Sequence, residues 1–143
     1  DESYLLLAET FGMRVWKYHI KGPAAGEMEV LVSHMPGYPD GISCAPPTSK
    51  DDHRCFVVMP VAIIPFHKLV AALPDTLDTW IRHLLMALPR WITPDAAPFS
   101  GVMIVNALTG EHEYLLDPNG TDLARMAGIT YKDGKLYMGS LKD

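Results

Sequence analysis

Cysteine is scarce in this chain: Cys44 and Cys55 are the only two in 143 residues. That is too few for a disulfide scaffold, and neither has Cys or His neighbours at the spacing of a structural zinc site. They flank a ten-residue loop, so they are either buried thiols or, in an oxidising compartment, a bridge across a hairpin. Basic residues are outnumbered, with 12 Lys and Arg against 17 Asp and Glu and a formal net charge of −5. They are also scattered, which leaves no basic stripe for a phosphate backbone and excludes nucleic acid as the expected partner. Long apolar runs are missing as well. The longest, Cys55 to Phe66, contains Pro60 and Pro65 and falls far short of the ~20 residues a membrane-crossing helix needs. The opening DESYLLLAET has neither a basic n-region nor a signal-like apolar stretch, so any targeting segment is expected to lie outside these residues. The six histidines, at 19, 34, 53, 67, 83 and 112, form no H-x-x-x-H or H-x-E pattern, which argues against zinc.

What is present is mostly strand. SYLLLAET and MRVWKYHI are short β-rich runs separated by Phe11-Gly12, and the second sets Arg14, Trp16 and Tyr18 against Met13, Val15 and Lys17, a period of two. KGPAAG is turn chemistry, and EMEVLVSHM reads as a third antiparallel strand that stops at Pro36. ISCAPP and CFVVMPVAII suggest a strand pair around TSKDDHR, their prolines favouring edges or bulges. From Asp75 the spacing Leu77, Trp80, Ile81, Leu84, Leu85, Leu88 predicts an amphipathic helix capped by Asp75. Pro65 to Leu73 is a shorter helical candidate, so a helical insertion is expected near residues 65–90. Strand patterns then return in GVMIVNA, HEYLLD and ITYKDGKLYMGSL, where Asp133-Gly134 predicts a two-residue hairpin turn. An all-β sandwich, barrel or propeller would accommodate this order. Three units of blade size, beginning near Tyr4, Ile42 and Val102, favour the propeller.

The stretches YLLLAETFGMRVWKYHIKGPAAGEMEVLVSHMPGYPDGI and YKDGKLYMGSL resemble, in order and spacing, the C-terminal half of strictosidine synthase-like proteins. This family includes adipocyte plasma membrane-associated protein and is related in fold to the paraoxonases. The resemblance covers essentially the whole chain. It implies a six-bladed β-propeller of which residues 1–143 form roughly the second half, about three blades, with the N-terminal half as the missing partner. It also implies an endomembrane, secretory or membrane-associated location, and either a Ca²⁺-dependent arylesterase- or lactonase-type hydrolase acting on a small ester or lactone, or a non-catalytic propeller serving as a binding or structural subunit.

Candidate site residues follow from both readings. In HMPGYPDGI, two prolines and two glycines hold a single carboxylate, Asp40. The resemblance makes it a channel-facing metal ligand, since Ca²⁺ takes ~6 to 8 oxygen donors; the plain reading is that Asp40 bonds its own turn. The family carries an Asp-Asn pair here, and Gly41 removes the amide oxygen. Strictosidine synthase itself carries an essential glutamate just upstream of the late hairpin. Residues 127–132 read AGITYK, and no glutamate follows Glu113, so that condensation is not expected. Glu9 is read as a channel-facing or capping residue holding backbone donors, and His34 as a surface residue or a lining of the channel mouth. Asn119-Gly120-Thr121 is an N-glycosylation acceptor if the chain enters the secretory pathway. The stripe over residues 75–90 is expected to pack on the propeller flank, or else to dock on a membrane surface or a protein partner.

Overall fold

The computed structural model describes residues 3–63, 80, 81, 84 and 98–141. Strands β1 (Tyr4–Glu9), β2 (Arg14–His19) and β3 (Met28–Val32) form one antiparallel sheet in the order β1-β2-β3. Their alternation dictates which side chains turn inward: Val15 and Lys17 on β2 are buried, while Tyr18 is exposed. A register shift between Val15 and Trp16 twists β2 against β3. Strands β4 (Ile42–Cys44), β5 (Arg54–Met59), β6 (Ser100–Asn106) and β7 (His112–Asp117) make a four-stranded antiparallel sheet in chain order. Strands β8 (Met126–Lys132) and β9 (Lys135–Ser140) form a two-stranded hairpin. At its turn, Asp133 and Gly134 have φ of 50° and 76°, the backbone that a two-residue type I′ connection requires.

The four-stranded sheet lies between the other two, and this explains why β5 is apolar on both faces. On one face Val57, Met59, Met103 and Val105 pack with Val15, Val32 and Met35. On the other, Phe56, Val58 and Val102 pack with Met126 and Ile129. The Phe56 and Tyr131 rings stack across that second interface at 5.6 Å, and Tyr131 N–H donates to Ser43 Oγ at 2.9 Å. Two apolar layers between three antiparallel sheets are the packing of consecutive propeller blades.

The division into units differs from the sequence reading in one respect. The third unit starts at Met126, not near Val102, because β6 and β7 pair onto β4 and β5 across the long 60–99 connection. Continuous ladder hydrogen bonding, invisible in local patterning, decides the boundary. The two expected helices fall almost wholly outside the described residues. Of the 75–90 stripe, Trp80, Ile81 and Leu84 are helical, with Trp80 77% and Leu84 65% exposed; Leu77, Leu85 and Leu88 lie outside the described residues.

One large face is left without cover among the described residues. Leu5, Leu7, Tyr18, Met28 and Val30 are all exposed. The pairings Leu5 with Tyr18, Leu7 with Trp16, Trp16 with Val30 and Tyr18 with Met28 place them together on the side of the first sheet away from β4–β7.

Candidate functional site

The turn that carries Asp40 is sewn onto the end of β5 by its backbone. Tyr38 N–H donates to Val61 O at 3.0 Å, Asp40 N–H to Val58 O at 2.9 Å, Val58 N–H to Gly41 O at 3.0 Å, and Ile63 N–H to Pro36 O at 3.1 Å. Met35 and Pro39 are fully buried. Gly37 is required for this approach: a Cβ there would sit 2.8 Å from Val61 O and 2.9 Å from Met59 Cβ. With main chain and prolines occupied in packing, the Asp40 carboxylate is left exposed at the start of β4, an edge strand of the central sheet. The backbone of Asp40, and not its side chain, serves the turn.

Among the described residues no three His, Cys, Asp or Glu side chains converge as a metal site. Asp40 has the chemistry of a hard-cation ligand, but it is one donor where Ca²⁺ takes ~6 to 8. Gly41, the next residue, is closed in as well as bare. A Cβ at this position would lie 2.8 Å from Ala127 O, 3.4 Å from Ile129 N and 3.4 Å from Val58 Cγ1. Its φ is not positive, so space, not backbone torsion, demands glycine. The carbonyl that fills the space belongs to β8, whose Ala127–Lys132 stretch is where the resemblance would put an acid, and it carries no carboxylate.

Glu9 departs from the expectation that it holds backbone donors. Its carboxylate accepts from Arg14 Nε at 2.5 Å, Arg14 Nη2 at 3.2 Å and Trp16 Nε1 at 2.5 Å. The Arg14 guanidinium also lies 4.6 Å from the Trp16 ring centroid. The Arg14 bond first, and the indole second, hold the Glu9 carboxyl below its ordinary range. Glu9 thus pins the β1–β2 hairpin, folding over Gly12, where a Cβ would meet its carboxyl at 2.5–2.8 Å. His34 is exposed with φ 58°, its Nδ1 2.9 Å from Ser33 Oγ. Neither residue joins Asp40 in a site.

Three features escaped the sequence reading. Lys17 is only 6% exposed, between the first two sheets, with Nζ 3.5 Å from Glu29 and 5.2 Å from the Tyr4 ring centroid; a lysine on the inward side of an alternating strand was its signal. Tyr4 Oη and His53 Nδ1 lie 3.0 Å apart, a pairing of residues 49 apart in sequence that no local pattern shows. Asp117, at the end of β7, accepts from the backbone N–H groups of Thr121, Asp122 and Leu123 at 3.2, 2.8 and 2.9 Å. Those bonds, Leu123 and Asp122 foremost, hold its carboxyl down at about 2. Between the two readings of the cysteines the structure chooses the bridge: Cys44 and Cys55 are directly paired across β4 and β5 and joined by a disulfide.

No protein-family model matches the chain. It is 29% identical to STRICTOSIDINE SYNTHASE-LIKE 10 of Arabidopsis thaliana over 149 aligned residues, covering 99% of the chain and 36% of that protein. This chain is a relative of the strictosidine synthase-like proteins. The same relation extends to the adipocyte plasma membrane-associated protein of Rattus norvegicus, 24% identical over 99% of the chain and 37% of that protein. A shorter stretch of 43 residues, 30% of the chain, is 46% identical to Drosophila melanogaster hemomucin, of which it covers 7%. The chain therefore spans about a third of the length of the relatives it follows from end to end, and its stacked sheets are part of a β-propeller. The name of the rat relative associates that protein with the adipocyte plasma membrane. Among the described residues, no helix is long and apolar enough to cross a bilayer.

Proposed function

We propose that this chain is the part of a six-bladed strictosidine synthase-like propeller that delivers Asp40 to the central channel, as one oxygen ligand of a Ca²⁺ site in an arylesterase- or lactonase-type hydrolase. The observation that carries this reading is the exposed Asp40 carboxylate at the start of β4, on a turn whose main chain is hydrogen-bonded to Val58 and Val61. A carboxylate on a fixed backbone is partly pre-organised for a cation, because only its side-chain torsions are left to order on binding. When bound, the ion supplies Lewis acidity toward the carbonyl of a small ester or lactone. Asp40 orients and neutralises the ion; the remaining ligands come from the rest of the propeller. The exposed apolar face of Leu5, Leu7, Tyr18, Met28 and Val30 supports that remainder as the immediate partner, since a neighbouring blade would bury it. The exposed Trp80 and Leu84 side chains support a membrane surface or protein contact along the apolar stripe that the sequence carries over 75–90, in an endomembrane or secretory setting.

A second reading has its own observation. Gly41 is sealed by Ala127 O at 2.8 Å from any added Cβ, so the neighbouring ligand position is lost to packing, as in a propeller kept for binding and not for catalysis. Phenyl acetate hydrolysis by the full-length protein, followed while Ca²⁺ is titrated, separates the two. The hydrolase reading expects metal-dependent turnover that Asp40→Ala abolishes. Turnover absent, or indifferent to both metal and Asp40→Ala, would overturn the Ca²⁺-dependent hydrolase reading.

A further inference from the structure

We infer that Asn119 carries an N-linked glycan, at the outer edge of the central sheet. Asn119 is exposed in the turn that follows β7, the strand at the end of the β4-β5-β6-β7 order. The chain has two asparagines, 106 and 119, and only Asn119 is followed at the second position by Thr or Ser. The turn is built around Asp117, which takes up the N–H groups of Thr121, Asp122 and Leu123 and lies 3.3 Å from Thr121 Oγ1. Gly120, with φ 60°, packs against Pro98. The tip is thus fixed from below, and Asn119 faces water. Neither inter-sheet apolar layer includes a residue of 118–123, so a bulky polar group attached there displaces no core contact.

A second and independent observation supplies the compartment. The Cys44–Cys55 disulfide joins opposed residues of β4 and β5, and such bonds persist where the surroundings are oxidising, the secretory lumen among them. That is the compartment in which the acceptor triplet is read. In the transfer, Asn119 Nδ2 forms a bond to C1 of the first sugar of a lipid-pyrophosphate-linked oligosaccharide. The bond from C1 to the pyrophosphate oxygen breaks, the lipid pyrophosphate leaves with the electron pair, and one amide proton passes to the transferase's base.

The test uses the full-length protein purified from a eukaryotic secretory host. It is digested without reduction to assign the cysteines, and then with peptide-N-glycosidase F in heavy-oxygen water, beside an enzyme-free control. The expected result is a Cys44–Cys55 linked peptide together with conversion of Asn119 to heavy-oxygen-labelled Asp only where the glycosidase was added. Thr121→Ser should keep that conversion, and Thr121→Ala and Asn119→Gln should lose it. Unmodified Asn119 in protein whose disulfide is formed would overturn the inference, and so would recovery of Cys44 and Cys55 as free thiols.

Discussion

Replacing Gly41 by alanine adds one methyl group against the carbonyl of Ala127, and the size of the effect follows from where that methyl lands. At 2.8 Å from a backbone oxygen and 3.4 Å from Ile129 N and Val58 Cγ1, it has no flexible side chain to push aside. Either β8 must move away from β4 or the turn must leave β5. Overpacking of this kind costs about 1–3 kcal/mol, while exchanging glycine for alanine restricts the unfolded chain and returns about 0.4–1 kcal/mol. The net expectation is a loss of about 1–2 kcal/mol, read as a lower urea midpoint of the full-length protein with an unchanged slope. Gly128→Ala is the internal control: the nearest neighbour to its added Cβ is Gly139 N at 4.0 Å, so only the favourable unfolded-state effect remains. Gly41→Asn should be at least as destabilising as Gly41→Ala and should not tighten Ca²⁺ binding, although it adds the amide that the family resemblance leads one to expect there. A Gly41→Ala protein as stable as the wild type, beside a Gly128→Ala protein no less stable than the wild type, would refute the claim that β8 closes over position 41.

Removing the Cys44–Cys55 bridge, by reduction or as the double alanine variant, should lower stability by about 3 kcal/mol for a bridge spanning 11 residues, measured by denaturation with and without dithiothreitol. Met103→Ala empties a fully buried position in the layer between the first two sheets and should cost about 2–5 kcal/mol on the same assay. Asp117 has a folded-state carboxyl held at about 2, below its ordinary value of 3.8. Its contribution is therefore complete above pH 4 and lost as pH falls toward 2; Asp117→Asn should flatten the stability profile in that window and leave it unchanged at neutral pH in slope. Glu9→Gln weakens the charge-assisted bonds to Arg14 and Trp16 and should loosen the β1–β2 hairpin, seen as faster hydrogen exchange at Ala8 and Val15.

How much was legible in the sequence differs from element to element. Alternation predicted β2, because Val15 and Lys17 face a core and Arg14, Trp16 and Tyr18 do not. Asp133-Gly134 predicted its hairpin, because two successive positive φ angles favour those residues. The grouping of strands into sheets was not legible past Met59: β5 and β6 pair across the 60–99 connection, and a ladder between distant segments leaves no local trace. Asp40 was legible as a lone carboxylate in a stiff turn. That Gly41 is glycine because Ala127 O occupies the space was not, since the contact joins residues more than eighty positions apart. The Tyr4–His53 pair stayed hidden because its residues are 49 apart, and the Asp117 loop because its bonds, though local, go to backbone N–H groups, which residue type alone does not announce.

The role assigned to Asp40 is tested most directly by isothermal titration of Ca²⁺ into the full-length protein and its Asp40→Ala and Asp40→Asn variants. A carboxylate that ligates the ion sets affinity through its charge, so both variants should bind at least about tenfold more weakly, with Asp40→Asn retaining more than Asp40→Ala. Equal dissociation constants in all three proteins would contradict it.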